Sequence, residues 1–245
     1  MGESPGEILF LRVPPLGLIE SAGGSGGRGP TRLTAALASN GFRGRVGERS
    51  ITSLWIGMGR RVREPGRQLL ERIRSGRISD IIDIGCAGAL DPSLQRGDLV
   101  LSSGDVAVDG VVPAVVRRRP DLSSLLHEVA ASRGVTLRPA PILTHERLIA
   151  SRDERIELFD RTGCAAVQIE HVWFLRLLQS LLPDRTLEKI LVTHLVLITD
   201  AVPRTPGRLA TARSAWHALA GYALPGGSGG IASLRREVLS RWPGA

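Results

Sequence analysis

The sequence predicts an α/β fold, a single domain spanning residues 1–245 with three layers and a mainly parallel, twisted central sheet flanked by helices. Three observations carry this. Strand-like apolar segments alternate with segments whose apolar residues recur at helical spacing. Two of the strand-like segments, Ile78–Ile84 and Ile190–Thr199, are apolar almost throughout, as a strand covered on both faces must be. No internal repeat or composition break divides the 245 residues, a length that can bury a substantial core.

In chain order, Glu7–Val13 reads as a first strand, stopped by Pro14-Pro15. Ser21–Pro30 is a glycine-rich loop and Thr31–Ala38 a short helix. The loop contains Gly24-x-Gly26-x-x-Gly29, which matches the dinucleotide fingerprint but is separated from its strand by a diproline and followed by Pro30, so it reads as a linker. Ser50–Ile56 is a strand that ends in Gly57-Met58-Gly59. Glu64–Ser75 is a helix with Leu69, Leu70 and Ile73 on one face. Leu99–Val116 suggests short strands broken by Gly104 and Gly110. Leu122–Ser132 is helical and Val135–Leu143 a strand. Ser151-x-x-Glu154 is a capping box opening a helix to about Arg161. A strand over Cys164–Ile169, a helix over Glu170–Leu182 and the strand to Thr199 follow. Ala210–Tyr222 and Ile231–Trp242 are helical, separated by the loop Pro225–Gly230.

Composition narrows the function classes. The formal charge of +8 and pI near 11.1 invite a nucleic-acid reading. Yet Lys189 is the only lysine among 32 basic residues, and the arginines are scattered, with one run of three at Arg117–Arg119. That is biased composition rather than a phosphate-binding face, and no nucleic-acid partner is expected. No apolar run approaches the roughly eighteen residues of a membrane helix. Ile8–Val13 is too short for a signal-peptide core and lacks a basic leader. Cys86 and Cys164 lie far apart and form no metal-spaced pair, consistent with a reduced cytoplasm. Neither a metal nor a cofactor is expected.

The richest segment is Ile81–Leu101, IIDIGCAGALDPSLQRGDLVL. An apolar run enters the small residues Gly85-Cys86-Ala87-Gly88-Ala89, read as a turn that lets a ligand approach the backbone. Gly97-Asp98 then forms a second turn before the next strand. Glu170 stands where a strand passes into a helix, suited either to a ligand or to the helix dipole. Asp200 closes the strand over Leu191–Thr199, either as a site residue or as a turn or capping residue.

Taken together these segments resemble the nucleoside phosphorylase and nucleosidase superfamily, which carries G-x-A-G-x-L followed by G-D-[LIV]-V. The version here, A-G-x-L-D-P-x-L-x-x-G-D-L-V, is most similar to the hopanoid-associated nucleosidase branch. The resemblance implies a small-molecule purine nucleoside as substrate, with adenosylhopane, methylthioadenosine, adenosylhomocysteine and futalosine as candidates, and a homo-oligomer. Val167-Gln168-Ile169-Glu170 resembles the ribose-binding segment, with Ile169 in place of the usual methionine and Gln168 beside it. It implies that Glu170 accepts hydrogen bonds from ribose hydroxyls. The segment ending in Asp200 resembles the late strand whose aspartate protonates the leaving purine, a task for an acid whose pKa burial has raised. Backbone at Cys86, Ala87 and Gly88 would line the pocket. Leu148 and Ile149 fall where nucleosidases stack an aromatic residue on the base, so that stacking is replaced. His145 and His171 read as hydrogen-bonded structural residues. The bacterial phosphorylases place a phosphate-binding arginine where this chain has Asp83, an anion, which favours water as nucleophile. Gly57-Met58-Gly59 with Arg60 and Arg61 resembles a phosphate loop and keeps phosphorolysis as an alternative. Glu20 is the nearest candidate for the water-activating acid, and its poor alignment leaves a non-catalytic nucleoside-binding homologue as a further alternative.

Overall fold

A computed structural model describes residues 7–12, 41–46, 49–58, 61–62, 64–110, 122–202 and 231–241. The expected loop 21–30, the helices over 31–38 and 210–222, and Glu20 lie outside these residues. Ten strands are described: β1 Glu7–Arg12, β2 Gly41–Val46, β3 Arg49–Trp55, β4 Gly57–Met58, β5 Arg61–Val62, β6 Ile78–Ala89, β7 Leu99–Ala107, β8 Leu137–Thr144, β9 Ala166–Gln168 and β10 Leu191–Asp200. The described helices are α1 Arg67–Arg74, α2 Leu122–Ser132, α3 Arg152–Thr162, α4 His171–Leu181, α5 Asp184–Leu187 and α6 Ile231–Ser240.

Eight strands form one sheet in the order β10-β7-β8-β9-β6-β1-β3-β2, and β10 also pairs with β6. The five strands β6, β9, β8, β7 and β10 therefore close into a ring, and β1, β3 and β2 extend the sheet from β6. The sheet is mixed where a mainly parallel one was expected. β1–β3, β1–β6, β6–β10, β7–β8 and β8–β9 run parallel. β2–β3, β6–β9 and β7–β10 run antiparallel. Connection length explains much of the difference. β2 and β3 are separated by two residues, which permits only a hairpin, and the link from β6 to β7 contains no helix to carry a parallel crossover.

Alternating residues of the central strands face two helical layers. Ile8, Phe10, Ile82, Ile84, Leu195 and Leu197 pack with α2 through Leu122, Leu126 and Val129, and with α6 through Leu234 and Val238. Leu9, Leu11, Ile81 and Val192 pack with α1 through Leu69, Leu70 and Ile73, and with α4 through Phe174, Leu175 and Leu178. Burying these side chains on both faces drives the association, at about 1.5–3 kcal/mol for each large one.

One local expectation is corrected. Gly85–Ala89 is not a turn, because β6 continues to Ala89 with β10 paired beside it through Gly88. Neither Gly85 nor Gly88 has a positive φ, so the small residues serve close approach rather than an unusual backbone. At Gly88 a Cβ would meet the Arg155 guanidinium, with Nη2 at 3.3 Å. The turn expected at Gly97-Asp98 is present, with φ +100° at Gly97 and the Asp98 carboxylate accepting from the Gln95 N–H at 2.7 Å. Half of the expected capping box forms. Ser151 accepts from Glu154 N, while the Glu154 carboxylate turns to Arg147.

Candidate active site

Gly88 is the point where the site segments meet. It pairs with Asp200 at the end of β10 and with Val167 of β9, while Cys86 and Ala87 pair with Leu197 and Ile198. Because β9 runs antiparallel to β6, the chain beyond Gln168 travels back along β6 toward Asp83. The register thus brings Cys86–Gly88, Gln168–Glu170 and Asp200 to one end of the sheet.

Glu170 occupies the N-cap position of α4 without making a side-chain cap bond. Gln168 caps the helix instead. Its Oε1 accepts from Glu170 N at 2.8 Å and His171 N at 3.1 Å, and its Nε2 donates to Thr144 Oγ1 at 2.8 Å. Gln168, expected among the substrate-binding residues, uses both ends of its side-chain amide within the protein. Glu170 is left as a buried carboxyl accepting one N–H, from Ile169 at 3.2 Å. Burial, and then the Asp83 charge, push its pKa up to about 8, against the opposing pull of the Ile169 N–H and His171.

Asp200 does not stand as an isolated buried acid. Its Oδ2 accepts a charge-assisted bond from Arg155 Nη2. Arg155, on α3, is only 3% exposed and is held on all sides. Nε donates to Ile149 O at 2.8 Å, and Nη1 to the main-chain oxygens of Ala89, Asp200 and Ala201 at 3.4, 3.2 and 3.2 Å. Among the described residues nothing bonds Asp200 Oδ1.

Beneath Glu170 lies a network of buried ionisable groups. His171 Nδ1 is 2.7 Å from Asp83 Oδ2, and His194 Nδ1 is 2.6 Å from Asp105 Oδ1. The two imidazoles stack with centroids 3.8 Å apart and planes 15° from parallel. His171 Nε2 faces Asp105 Oδ2 at 3.7 Å, and Ser102 Oγ donates to Asp105 at 2.9 Å. Burial opposes ionisation of both aspartates, but the imidazoles prevail and hold both carboxyls below the usual range. Burial likewise opposes a charge on His171, and Asp105 with Asp83 override it and raise its pKa. Asp83, His171 and His194 offer ligand atoms within 4.8 Å of one another. The near-parallel stacked rings aim their in-plane lone pairs side by side rather than at one point, so the cluster suits hydrogen bonding better than a metal.

The remaining expected residues divide. Ala87 is buried, and Cys86 and Ile169 are half-buried beside the junction. Ile149 packs in a core cluster with Leu90, Leu143 and Leu158, so its side chain is core while its carbonyl holds Arg155. Leu148 is 65% exposed. His145 is structural: its N–H donates to Gln168 O, and its Nδ1 accepts from Arg147 N. Burial lowers its pKa. Asp83, expected to repel phosphate, is buried against His171. Gly57 and Met58 pair with Arg61 and Val62 in a small two-stranded sheet, and Gly59 and Arg60 lie outside the described residues. Arg155, Asp105 and His194 were not anticipated. For Asp105 and His194 the available signal was a polar residue at an inward position of a largely apolar strand, which requires a buried partner.

Comparison with known proteins adds the family. A profile described as the Phosphorylase superfamily matches residues 34–177, more than half of the chain. The chain belongs to the phosphorylase superfamily. Within this superfamily its fold is similar to the 5'-methylthioadenosine/S-adenosylhomocysteine nucleosidase of Helicobacter pylori, at 15% identity over 95% of this chain and 97% of that one, with a TM-score of 0.65. It is also similar to futalosine hydrolase of Helicobacter pylori, at 14% identity over 96% and 99%, with a TM-score of 0.62. The Campylobacter jejuni methylthioadenosine/adenosylhomocysteine nucleosidase aligns at 14% identity over 89% and 96%, with a TM-score of 0.58. None of the curated proteins compared matches the sequence. Among the described residues no helix is long and apolar enough to cross a membrane.

Proposed function

We propose that this phosphorylase-superfamily protein is a nucleosidase that hydrolyses the N-glycosidic bond of a purine nucleoside or nucleoside derivative. The observation that carries the reading is the double pairing of Gly88 with Asp200 and Val167, which sets the expected base-binding and ribose-binding segments around one strand end. The fold's likeness to nucleosidases and to futalosine hydrolase supports it. In this reading water attacks the anomeric carbon as the bond to the base breaks through an oxocarbenium-like state. Glu170 holds the ribose hydroxyls, and its carboxylate form stabilises the developing positive charge. The bonding pair leaves with the purine, and the Asp200 carboxyl gives up the proton that N7 takes. Arg155 fixes Oδ2, leaving Oδ1 to face the base. Glu20 remains the candidate to accept the proton of the attacking water.

Phosphorolysis is the second reading, favoured by one observation. Asp83 is buried and compensated by His171, which weakens the repulsion of phosphate expected from its charge. Incubating the protein with adenosine, methylthioadenosine, adenosylhomocysteine and inosine, with and without phosphate, separates the readings. Hydrolysis yields free base and free pentose without phosphate. Strict phosphate dependence with a pentose 1-phosphate product establishes the second reading, and binding without turnover establishes a non-catalytic homologue.

A further inference from the structure

The four groups beneath Glu170 come from separate elements: Asp83 from β6, His171 from α4, Asp105 from β7 and His194 from β10. Assembling two carboxylates and two stacked imidazoles out of water is costly, and an apolar filling of the same volume would hold the fold at least as well. They reach the expected substrate pocket through Glu170, adjacent in sequence to His171 and under the influence of the Asp83 charge.

We propose that Asp83, His171, Asp105 and His194 are positioning residues that control whether Glu170 is charged, and so make ribose binding release a proton. This deepens the reading of Glu170 as the ribose ligand and rests on it. Before a riboside enters, burial and the Asp83 charge favour the neutral form of Glu170, one oxygen of which accepts the Ile169 N–H. Ribose hydroxyls are donors and favour the carboxylate, so a riboside entering the site expels the proton to solvent. Among the described residues the charges that act on Glu170 are those of Asp83 and His171; Asp105 and His194 stand against His171, and His145 lies beyond the end of β8. β8 and β9 contribute the neutral Thr144 and Gln168. Arg235, from α6, donates to the Ile84 carbonyl and also favours the charged form of Asp83. The two carboxylates act in opposite senses. The Asp83 charge disfavours a charged Glu170 directly. Asp105 is the leading support for the proton on His171, and that positive charge favours a charged Glu170.

The test uses formycin A and formycin B, C-nucleosides with no N-glycosidic bond to cleave. Calorimetry of the full chain in buffers of different ionisation enthalpy counts the protons released on binding. The expected result is about one proton at pH 7 and none near pH 9.5, with affinity rising about tenfold per pH unit up to a break near pH 8. Asp83→Asn moves the break to lower pH, and Asp105→Asn moves it to higher pH. Opposite shifts from two buried aspartates are not what loss of packing produces. Glu170→Gln removes the slope. Binding by the unaltered protein with no proton release overturns the proposal even if the Asp variants fail to fold. A slope that Glu170→Gln abolishes but neither Asp variant moves also overturns it, while sparing the ribose role. If Glu170→Gln binds as tightly as the unaltered protein, or neither formycin binds, the ribose reading itself falls.

Discussion

Arg155 grips Asp200 twice, from Nη2 to the carboxylate and from Nη1 to the main-chain oxygen at 3.2 Å. Asp200 is therefore aimed by a residue that packs beneath Gly88 and cannot move without releasing several carbonyls. In the proposed reaction the proton for the leaving base would come from an aspartate whose other oxygen is already occupied.

Replacing Asp200 by Asn removes the acid proposed to protonate the departing purine. Turnover of purine nucleosides is expected to fall by about 10²–10⁴-fold, the usual range for lost acid catalysis. A nitrophenyl riboside, whose leaving group needs no proton, is expected to lose far less. Equal losses on the two substrates would place Asp200 outside the proton-transfer step.

Arg155→Met tests the aiming. Leaving one partner of a buried ion pair uncompensated costs about 3–5 kcal/mol, so the denaturant midpoint is expected to drop clearly along with activity. Lysine at the same position restores the charge but not the fork that reaches several oxygens at once, and is expected to recover only part of either property.

Gly88→Ala probes the same relationship from below. The new Cβ would lie 3.3 Å from Arg155 Nη2 and 3.4 Å from Cζ, and the guanidinium has no slack to retreat. A displacement of a few tenths of an ångström is expected to lower kcat about tenfold, given that about 1 Å of misplacement can cost about 10². The fold should survive with a modest loss of stability. Unchanged kcat would show that Asp200 tolerates a shifted Arg155.

Glu170→Gln separates function from stability. Turnover should fall sharply, because the amide cannot offset positive charge at the anomeric carbon. Stability should respond the other way. A carboxyl raised from 4.5 to about 8 on folding contributes stability that is complete below pH 4.5 and lost as pH rises through about 8. A neutral amide has no such loss, so the variant is expected to exceed the unaltered protein in stability above pH 8, by up to a few kcal/mol. Denaturant titrations at about pH 4.5 and about pH 9, at the two ends of this window, compare the two. For Asp83 and Asp105 the sign reverses. Their pKa values are depressed, so their contribution is present above about 3.8 and disappears as pH falls below it.

Much of this was legible locally. Buried strands announced themselves through unbroken apolar runs, α3 through Ser151 and Glu154, and Glu170 and Asp200 through their places at strand ends. Local pattern could not say that β6 runs on through Gly85–Ala89, because glycine and alanine look like a turn until a neighbouring strand and a guanidinium are seen lying against them. Nor could it find partners for polar residues inside strands. His194 sits in LVTHLVLI and Asp105 in SSGDVAV, and each segment alone shows only an interruption. The interruption makes sense when β7 and β10 are neighbours in the sheet and α4 delivers His171 between them, which depends on topology rather than on spacing.

The closed ring also bears on how the chain reaches this state. β6 pairs residue 80 with residue 191 and residue 88 with residue 167, so two of its three partner strands are synthesised long after it emerges. Until β10 arrives, β6 and β7 each present one unpaired, apolar edge of the kind that recruits strands from other molecules. Long-range pairing of this sort must meet its loop-closure entropy before any contact rewards it, which makes folding slow and late. The last of the described strands is also the one that carries Asp200, so ring closure and completion of the candidate site are a single event. A chain ending before residue 191 would be expected to aggregate rather than to persist as a smaller folded unit.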